Sequence, residues 1–234
     1  ERSAEAKPAE VKAAEKNAAP KQVSLKELQA QRPIETGIEA GVDPKGFAIR
    51  LANLGETPVA ILQRGRNLLV LIETTEAINT PQIPAAFTAA FDGMTIQRLK
   101  GGSVVRIAPK DDGQYWLMRK ENDIIIQRGS SVDAKDAFSG ATIPLQRSFD
   151  SNGREAVDAP VGKAGDLHLV DDPVSGQRLA VVPVPRAGLA SPKGSNFAEF
   201  SIEPTLAGFA VLTLDESVLL RRLPDSVQVG HEIK

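Results

Sequence analysis

At 234 residues, with 28 basic and 30 acidic side chains, the chain is long enough for one or two domains with a real core, and a net charge of -2 argues against a strong electrostatic grip on nucleic acid. The lack of cysteine excludes disulfides and thiolate metal sites, and one Trp and one Tyr are too few for base-stacking platforms or aromatic sugar clefts. No run reaches the ~20 apolar residues that span a bilayer.

Residues 1–22 are rich in Ala, Glu, Lys and Pro with almost no large apolar side chain, so they read as a disordered linker that cannot offset its own ordering entropy. The chain opens on Glu1 with a polar segment, which reads as a processed or excised piece rather than a signal peptide. Residues 23–44 read as a short helix and lead-in. Ser24 and Glu27 form a capping-box pattern, and Pro33 ends the helix. A second short helix is expected over 84–91, stopped by Asp92 and Gly93, and Asp133 caps a single turn to Phe138.

The remainder reads as strands. Those expected in the first β-repeat pair (45–132) are Phe47–Asn53, Pro58–Arg64, Asn67–Glu73, Met94–Leu99, Ser103–Pro109, Tyr115–Lys120 and Asp123–Arg128. A second β region (133–234) offers Asp166–Val170, Arg178–Pro183, Phe197–Glu203, Phe209–Leu214, Ser217–Arg222 and Ser226–Gly230. Gly, Asp, Asn and Pro clusters separate them as turns.

An internal repeat organises the first region. A shift of 56 positions aligns IRLANLGETPVAILQRGRNLLVLI, from Ile49, with VRIAPKDDGQYWLMRKENDIIIQR, from Val105, without a gap. Each unit reads strand, turn, strand, tight turn, strand, with tight turns at Gly65–Arg66–Asn67 and Glu121–Asn122. A fainter third copy starts at Glu199, with its tight turn at Asp215–Glu216, and 165–185 shares the hairpin character. A three-stranded unit is marginal alone, so units must bury their faces against one another.

Candidate chemistry is sparse. His168 lies on a strand between Leu167 and Leu169, opposite them in the alternation, so it is expected on a half-exposed face. His231-Glu232 begins a zinc-protease pattern but lies in a strand-and-turn context rather than on a helix. The carboxylate pairs Asp111-Asp112 and Asp171-Asp172 precede Gly113 and Pro173, which is turn chemistry. No nucleophile elbow, phosphate loop or dinucleotide fingerprint is present, so neither catalytic residues nor a metal or cofactor is expected. The basic residues Arg64, Arg66, Arg119, Lys120, Arg221 and Arg222 sit at strand ends and hairpins. They are the candidate interaction surface, and solvated edge protection is the plainer alternative.

PVAILQRGRNLLVLIE, with Pro58, Val59, Arg64, Gly65 and Glu73, resembles a signature in the β-rich N-terminal region of large alphaproteobacterial cell-envelope proteins that carry tetratricopeptide repeats. RLAVVPVP and FAEFSIEPTLAGFAV fit the same pattern, and the resemblance spans about residues 45–222. It implies a periplasmic or envelope-associated, non-catalytic scaffold, and there is a fainter likeness to small β-domains that localise envelope machinery to peptidoglycan. The expectation is an all-β fold of repeated antiparallel hairpin units, as propeller-like blades or a β-sandwich, behind a disordered tail and one or two short helices. The expected partners are other envelope proteins, with peptidoglycan or polysaccharide as the alternative ligand.

Overall fold

The computed structural model describes residues 37–43, 46–78, 91–110, 113–128, 140–149, 152–185 and 187–231, with side chains from Ala48 onward. The expected tail over 1–22 and the helices at 23–32 and 133–138 lie outside these residues. So does the helix at 84–91, except for Phe91, which opens a strand instead.

The strands run β1 (Gly37–Asp43), β2 (Gly46–Ala52), β3 (Pro58–Arg64), β4 (Asn67–Ile72), β5 (Phe91–Leu99), β6 (Gly102–Pro109), β7 (Tyr115–Lys120) and β8 (Asp123–Arg128). They continue as β9 (Ala141–Thr142), β10 (Gln146–Phe149), β11 (Glu155–Pro160), β12 (His168–Asp171), β13 (Arg178–Val182) and β14 (Val184–Pro185). The last are β15 (Leu189–Ala190), β16 (Ser195–Asn196), β17 (Phe200–Ile202), β18 (Phe209–Thr213), β19 (Leu219–Arg222) and β20 (Ser226–Gly230).

Four sheets form, with orders β1-β2-β8-β7 (sheet I), β14-β3-β4-β6-β5 (sheet II), β12-β13-β18-β17-β16 (sheet III) and β10-β11-β20-β19 (sheet IV). Pairing within them is antiparallel, and β9 and β15 form a small parallel pair. Three apolar cores fix the layer order. Ile49, Leu117 and Ile126 of sheet I meet Ile61, Val70 and Val105 of sheet II. Leu62, Leu69 and Val104 on the other face of sheet II meet Leu179, Val181 and Ala210 of sheet III. Val182, Phe200 and Phe209 then meet Val157 and Val229 of sheet IV. The result is two β-sandwiches packed back to back through sheets II and III, which settles the choice between blades and sandwich in favour of the sandwich.

This stacking explains the sequence pattern. A sheet with one wet face alternates apolar and polar residues, whereas a sheet covered on both faces reads as an unbroken apolar run. In β3, Val59 and Ile61 enter one core while Ala60 and Leu62 enter the next. Thus VAIL in β3, LLVLI in β4, LAVV in β13 and FAVL in β18 are buried throughout.

The repeat is real and its register is kept. Positions 56 apart occupy equivalent strands: β1 to β4 in the first unit, β5 to β8 in the second. Ile49 pairs with Ile126, and Val105 pairs with Val70, the same contact with the units exchanged. Arg64 faces Asn67 across one hairpin and Lys120 faces Asp123 across the other. Gly65 and Glu121, 56 apart, both take positive φ at 55° and 52°, as tight two-residue hairpins require. Each unit gives one hairpin to each sheet, so the first sandwich has an internal twofold. It also begins at Gly37, inside the segment read as helix and lead-in.

The third copy does not share this plan. β17 and β18 pair in sheet III while β19 crosses to sheet IV, so no hairpin forms at Asp215–Glu216. Over 165–185, β12 and β13 do form the expected hairpin.

Candidate functional site

The six basic candidates are not brought together. Arg64 and Arg66 sit at the tip of the β3–β4 hairpin, while Arg119 and Lys120 sit at the tip of the β7–β8 hairpin. The amides of Leu54 and Gly55 donate to the carbonyl of Asn122 at 2.9 and 3.2 Å, which places the second tip beside the start of β3. The two tips therefore lie a strand length apart, roughly 20 Å at the usual rise per residue. Arg221 and Arg222 lie farther off, on sheet IV.

Two of the six are structural. Arg64 Nε and Nη2 donate to the carboxylate of Asp172 at 3.0 and 2.8 Å, and Nη1 donates to Glu203. The side chains are 15% exposed for Arg64 and 0% for Asp172, so this is a buried ion cluster bridging sheets II and III. Asp172 also accepts from the Ser175 amide and hydroxyl, at 3.2 and 2.7 Å, and Glu203 accepts from Ser201 Oγ at 2.5 Å. Arg222 donates to the backbone carbonyls of Gly162, Ala164, Gly165, Pro224 and Ser226, pinning the 162–165 loop to β19. Arg66 borders an open depression with Gln63, Gly65, Gly113 and Gln114.

Hydrogen bonds from Arg64, and then from Ser175, hold the Asp172 carboxyl well below the usual carboxylate range despite its burial. A carboxyl with a depressed native pKa stabilises the fold above its ordinary value near pH 4, and that stabilisation is lost as pH falls toward the depressed value. Unfolding free energy measured from pH 6 down to pH 2 should therefore fall more steeply in the native sequence than in Asp172→Asn. Equal slopes would remove Asp172 from the acid response.

His168 is the main correction. It is buried, whereas its neighbour Leu169 is 50% exposed, the reverse of the expected facing. Alternation gave the period but the phase was inverted, because the face of sheet III that looked free is covered by sheet II. His168 Nε2 lies 3.9 Å from Glu73 Oε1, which itself accepts from the Asp166 amide at 3.0 Å. A Cβ on Gly165 would lie 1.5 Å from Glu73 Oε2, so a side chain there would force that carboxylate to shift. Two turn carboxylates behave differently: Asp172 is buried, and Asp171 is exposed with Arg178 3.4 Å away. Asp111, Asp112 and Glu232 lie outside the described residues.

His231 joins a surface network. Its Nε2 contacts the Glu199 carboxylate, and Nδ1 lies 2.9 Å from Arg154 Nη1 and 3.0 Å from Ser217 Oγ. Carboxylate, imidazole and hydroxyl in a row is the layout of an activated serine. Here the guanidinium can only donate, so it occupies the Nδ1 lone pair, and Ser217 Oγ donates to Asp215 Oδ1 at 2.6 Å. Those bonds from the Ser217 hydroxyl and amide lower the Asp215 pKa. The network ties the β18–β19 turn to the end of β20. Among the described residues no group of three or more His, Asp or Glu side chains is placed to hold a metal ion, and no helix is long and apolar enough to cross a membrane.

The sequence reading missed the edge of sheet II. β5 is nine residues long and pairs only with β6 among the described strands. Every residue from Asp92 to Gln97 is exposed except Met94, which is half-buried, and Ile96 is 39% exposed. Met94, Ile96 and Arg98 share one face and Thr95 and Gln97 the other; Met94 packs on the core between sheets I and II, and Leu99 on the core between sheets II and III. A bulge between Phe91 and Gly93 precedes a regular ladder from Gly93 to Leu99. Arg98 Nη1 donates to the carbonyl of Glu76 at 2.8 Å, folding its side chain back toward β4.

No family model matches this chain, and neither the curated proteins nor the solved structures give a significant match.

Proposed function

We propose that this chain is a non-enzymatic structural and interaction module of a bacterial cell-envelope assembly, binding protein partners through free strand edges. The outer edge of β5 carries this reading. A strand longer than the usual five or six residues, with Ile96 exposed near its centre and no second partner among the described strands, offers a row of backbone donors and acceptors to an extended segment of another protein. Strand addition takes its affinity from main-chain hydrogen bonds and its selectivity from alternate side chains. The envelope setting rests on the likeness of the 58–73 and 178–211 segments to envelope scaffolds.

A photocrosslinking residue at Gln97, on β5, should give protein adducts in envelope-containing cells, and one at Gln228, on the outer face of sheet IV, should give few. Equal yields at both positions, or none at Gln97, would count against edge binding.

A second reading has its own observation. On the outer face of sheet IV, Arg221, Gln228, Asp158 and Gln146 stand in one cross-strand row. Asp158 Oδ1 and Gln228 Oε1 are shielded from solvent yet lack a hydrogen-bond partner. Such a polar ladder suits the hydroxyl and amide groups of a glycan. Co-sedimentation with purified cell wall that survives high salt and is lost in Asp158→Ala/Gln228→Ala would favour it over edge binding.

A further inference from the structure

We infer that His231 is a protonation switch for the β10–β11 hairpin: its neutral imidazole holds Arg154, and its imidazolium gives Arg154 up and takes Ser217 instead. Neither the β5 edge nor the polar row on sheet IV enters into it.

Four segments of the second sandwich meet at this ring. His231 directly follows β20, Glu199 directly precedes β17 and Arg154 directly precedes β11. Asp215 and Ser217 lie in the link where the chain crosses from β18 in sheet III to β19 in sheet IV. The Leu214 amide donates to the Glu199 carbonyl at 2.9 Å, which fixes the turn before β17 beside that link. The imidazole is only 6% exposed, so water has little access to its nitrogens. Among the described residues, the charged groups touching the ring are Glu199 and Arg154, and Asp215 reaches it through Ser217. β20 itself carries no charged residue.

The switch follows from which atoms donate and which accept. Nδ1 makes one hydrogen bond in either protonation state, yet two neighbours are within reach: Arg154 Nη1 at 2.9 Å and Ser217 Oγ at 3.0 Å. A guanidinium only donates, so Arg154 requires a bare Nδ1 lone pair. The Ser217 proton is already committed to Asp215 Oδ1 at 2.6 Å, so Ser217 can offer Nδ1 only a lone pair, which requires Nδ1–H. Nε2 faces a carboxylate that only accepts, so it carries a proton in both states. The Nδ1 proton is therefore the one that comes and goes. Without it, Arg154 is bound. With it, Nδ1–H donates to Ser217 Oγ, which donates to Asp215, and opposed donors of like charge drive Arg154 off the ring. Glu199 and Asp215 favour the imidazolium, while Arg154 favours the neutral form. Histidine is the side chain whose charge ordinarily changes between about pH 5 and pH 8, which is where this exchange is to be sought.

The strand affected is β10. All four of its residues are exposed, and among the described strands it pairs only with β11. Its other recorded support is Arg147, whose guanidinium lies 4.8 Å from the centre of the Phe197 ring. β11 stays paired with β20 whatever Arg154 does. Acid thus loosens the outer strand of sheet IV and leaves the sheet behind it intact.

The chain has two histidines, so His231→Gln identifies the His231 resonances by their loss. Long-range proton–nitrogen correlation spectra of the native chain should show a bare Nδ1 and a protonated Nε2 at about pH 8, and both protonated at about pH 5. At the pH where half of native His231 is protonated, Arg154→Met should raise the protonated share and Ser217→Ala should lower it. Hydrogen exchange in Gln146–Phe149, corrected for its intrinsic pH dependence, should rise several-fold on acidification of the native chain, while exchange in β13 holds steady. In Arg154→Met the same strand should already exchange fast at the higher pH, with no further rise. A bare Nε2 in place of Nδ1, two substitutions that move the protonated share the same way or not at all, or a β10 indifferent to acid would each overturn the switch. If His231→Gln loses its native circular dichroism, Arg154→Met and Ser217→Ala still decide, because their opposed effects are read on the native histidine.

Discussion

Arg64→Met should lower the free energy of unfolding by about 3–5 kcal/mol, measured by urea denaturation at neutral pH. The loss comes from what remains. Asp172 and Glu203 would face each other between sheets II and III without their shared cation, and burial denies them water. Replacing all three, as Arg64→Met/Asp172→Asn/Glu203→Gln, should recover most of the loss, because no unpaired charge stays buried. Asn in place of Asp172 keeps an oxygen for the Ser175 amide, so the turn capping survives. If the triple variant is as unstable as Arg64→Met, the cluster acts through shape rather than charge.

Gly208→Ala should cost about 2–4 kcal/mol in the same measurement. Gly208 takes φ of +80°, and a Cβ there would lie 2.6 Å from Ala60 Cβ and 2.9 Å from the Val182 carbonyl. The 205–208 loop bridges the two sandwiches: Ile61 donates to the Ala207 carbonyl at 2.9 Å, and the Leu206 and Ala207 amides return to the Ile61 carbonyl. Gly176→Ala is the internal control. Its φ of +72° imposes similar backbone strain, but nothing lies within 4 Å of the added carbon, so it should cost only about 1 kcal/mol. Equal losses at the two positions would mean that the crowding against Ala60 is relieved at no cost.

Most strands of the first sandwich were legible because apolar runs and tight turns coincide there. Pro58–Arg64, Tyr115–Lys120 and Asp123–Arg128 are bounded as expected, and the 56-residue offset survives as a shared register. What escaped detection lacks an apolar signal. β11 carries Glu155, Asp158 and Pro160, β10 is four exposed residues, and β1 is interrupted by glycine. Layering escaped too: an unbroken apolar strand says that both faces are covered but not by what. His168 was misplaced for that reason, since its phase depends on which face of sheet III meets sheet II. Among the basic candidates, strand-end positions were found correctly, but charge alone did not separate Arg64 and Arg222, held by partners far away in sequence, from exposed Arg221. The β5 edge was read as a strand, yet edges are created by pairing order, which no local pattern records.

The exchange of hairpins between the two 56-residue units has a consequence for synthesis. When β4 leaves the ribosome, the two hairpins made so far lie in different sheets, and each still awaits the partner strand that completes it, β8 for β2 and β6 for β4. The growing chain must carry the apolar strands Pro58–Arg64 and Asn67–Ile72 unsheltered until some fifty further residues have been made. Folding of the first half is thus a late, concerted event, and nascent chains stopped between β4 and β8 are the species most in need of a chaperone.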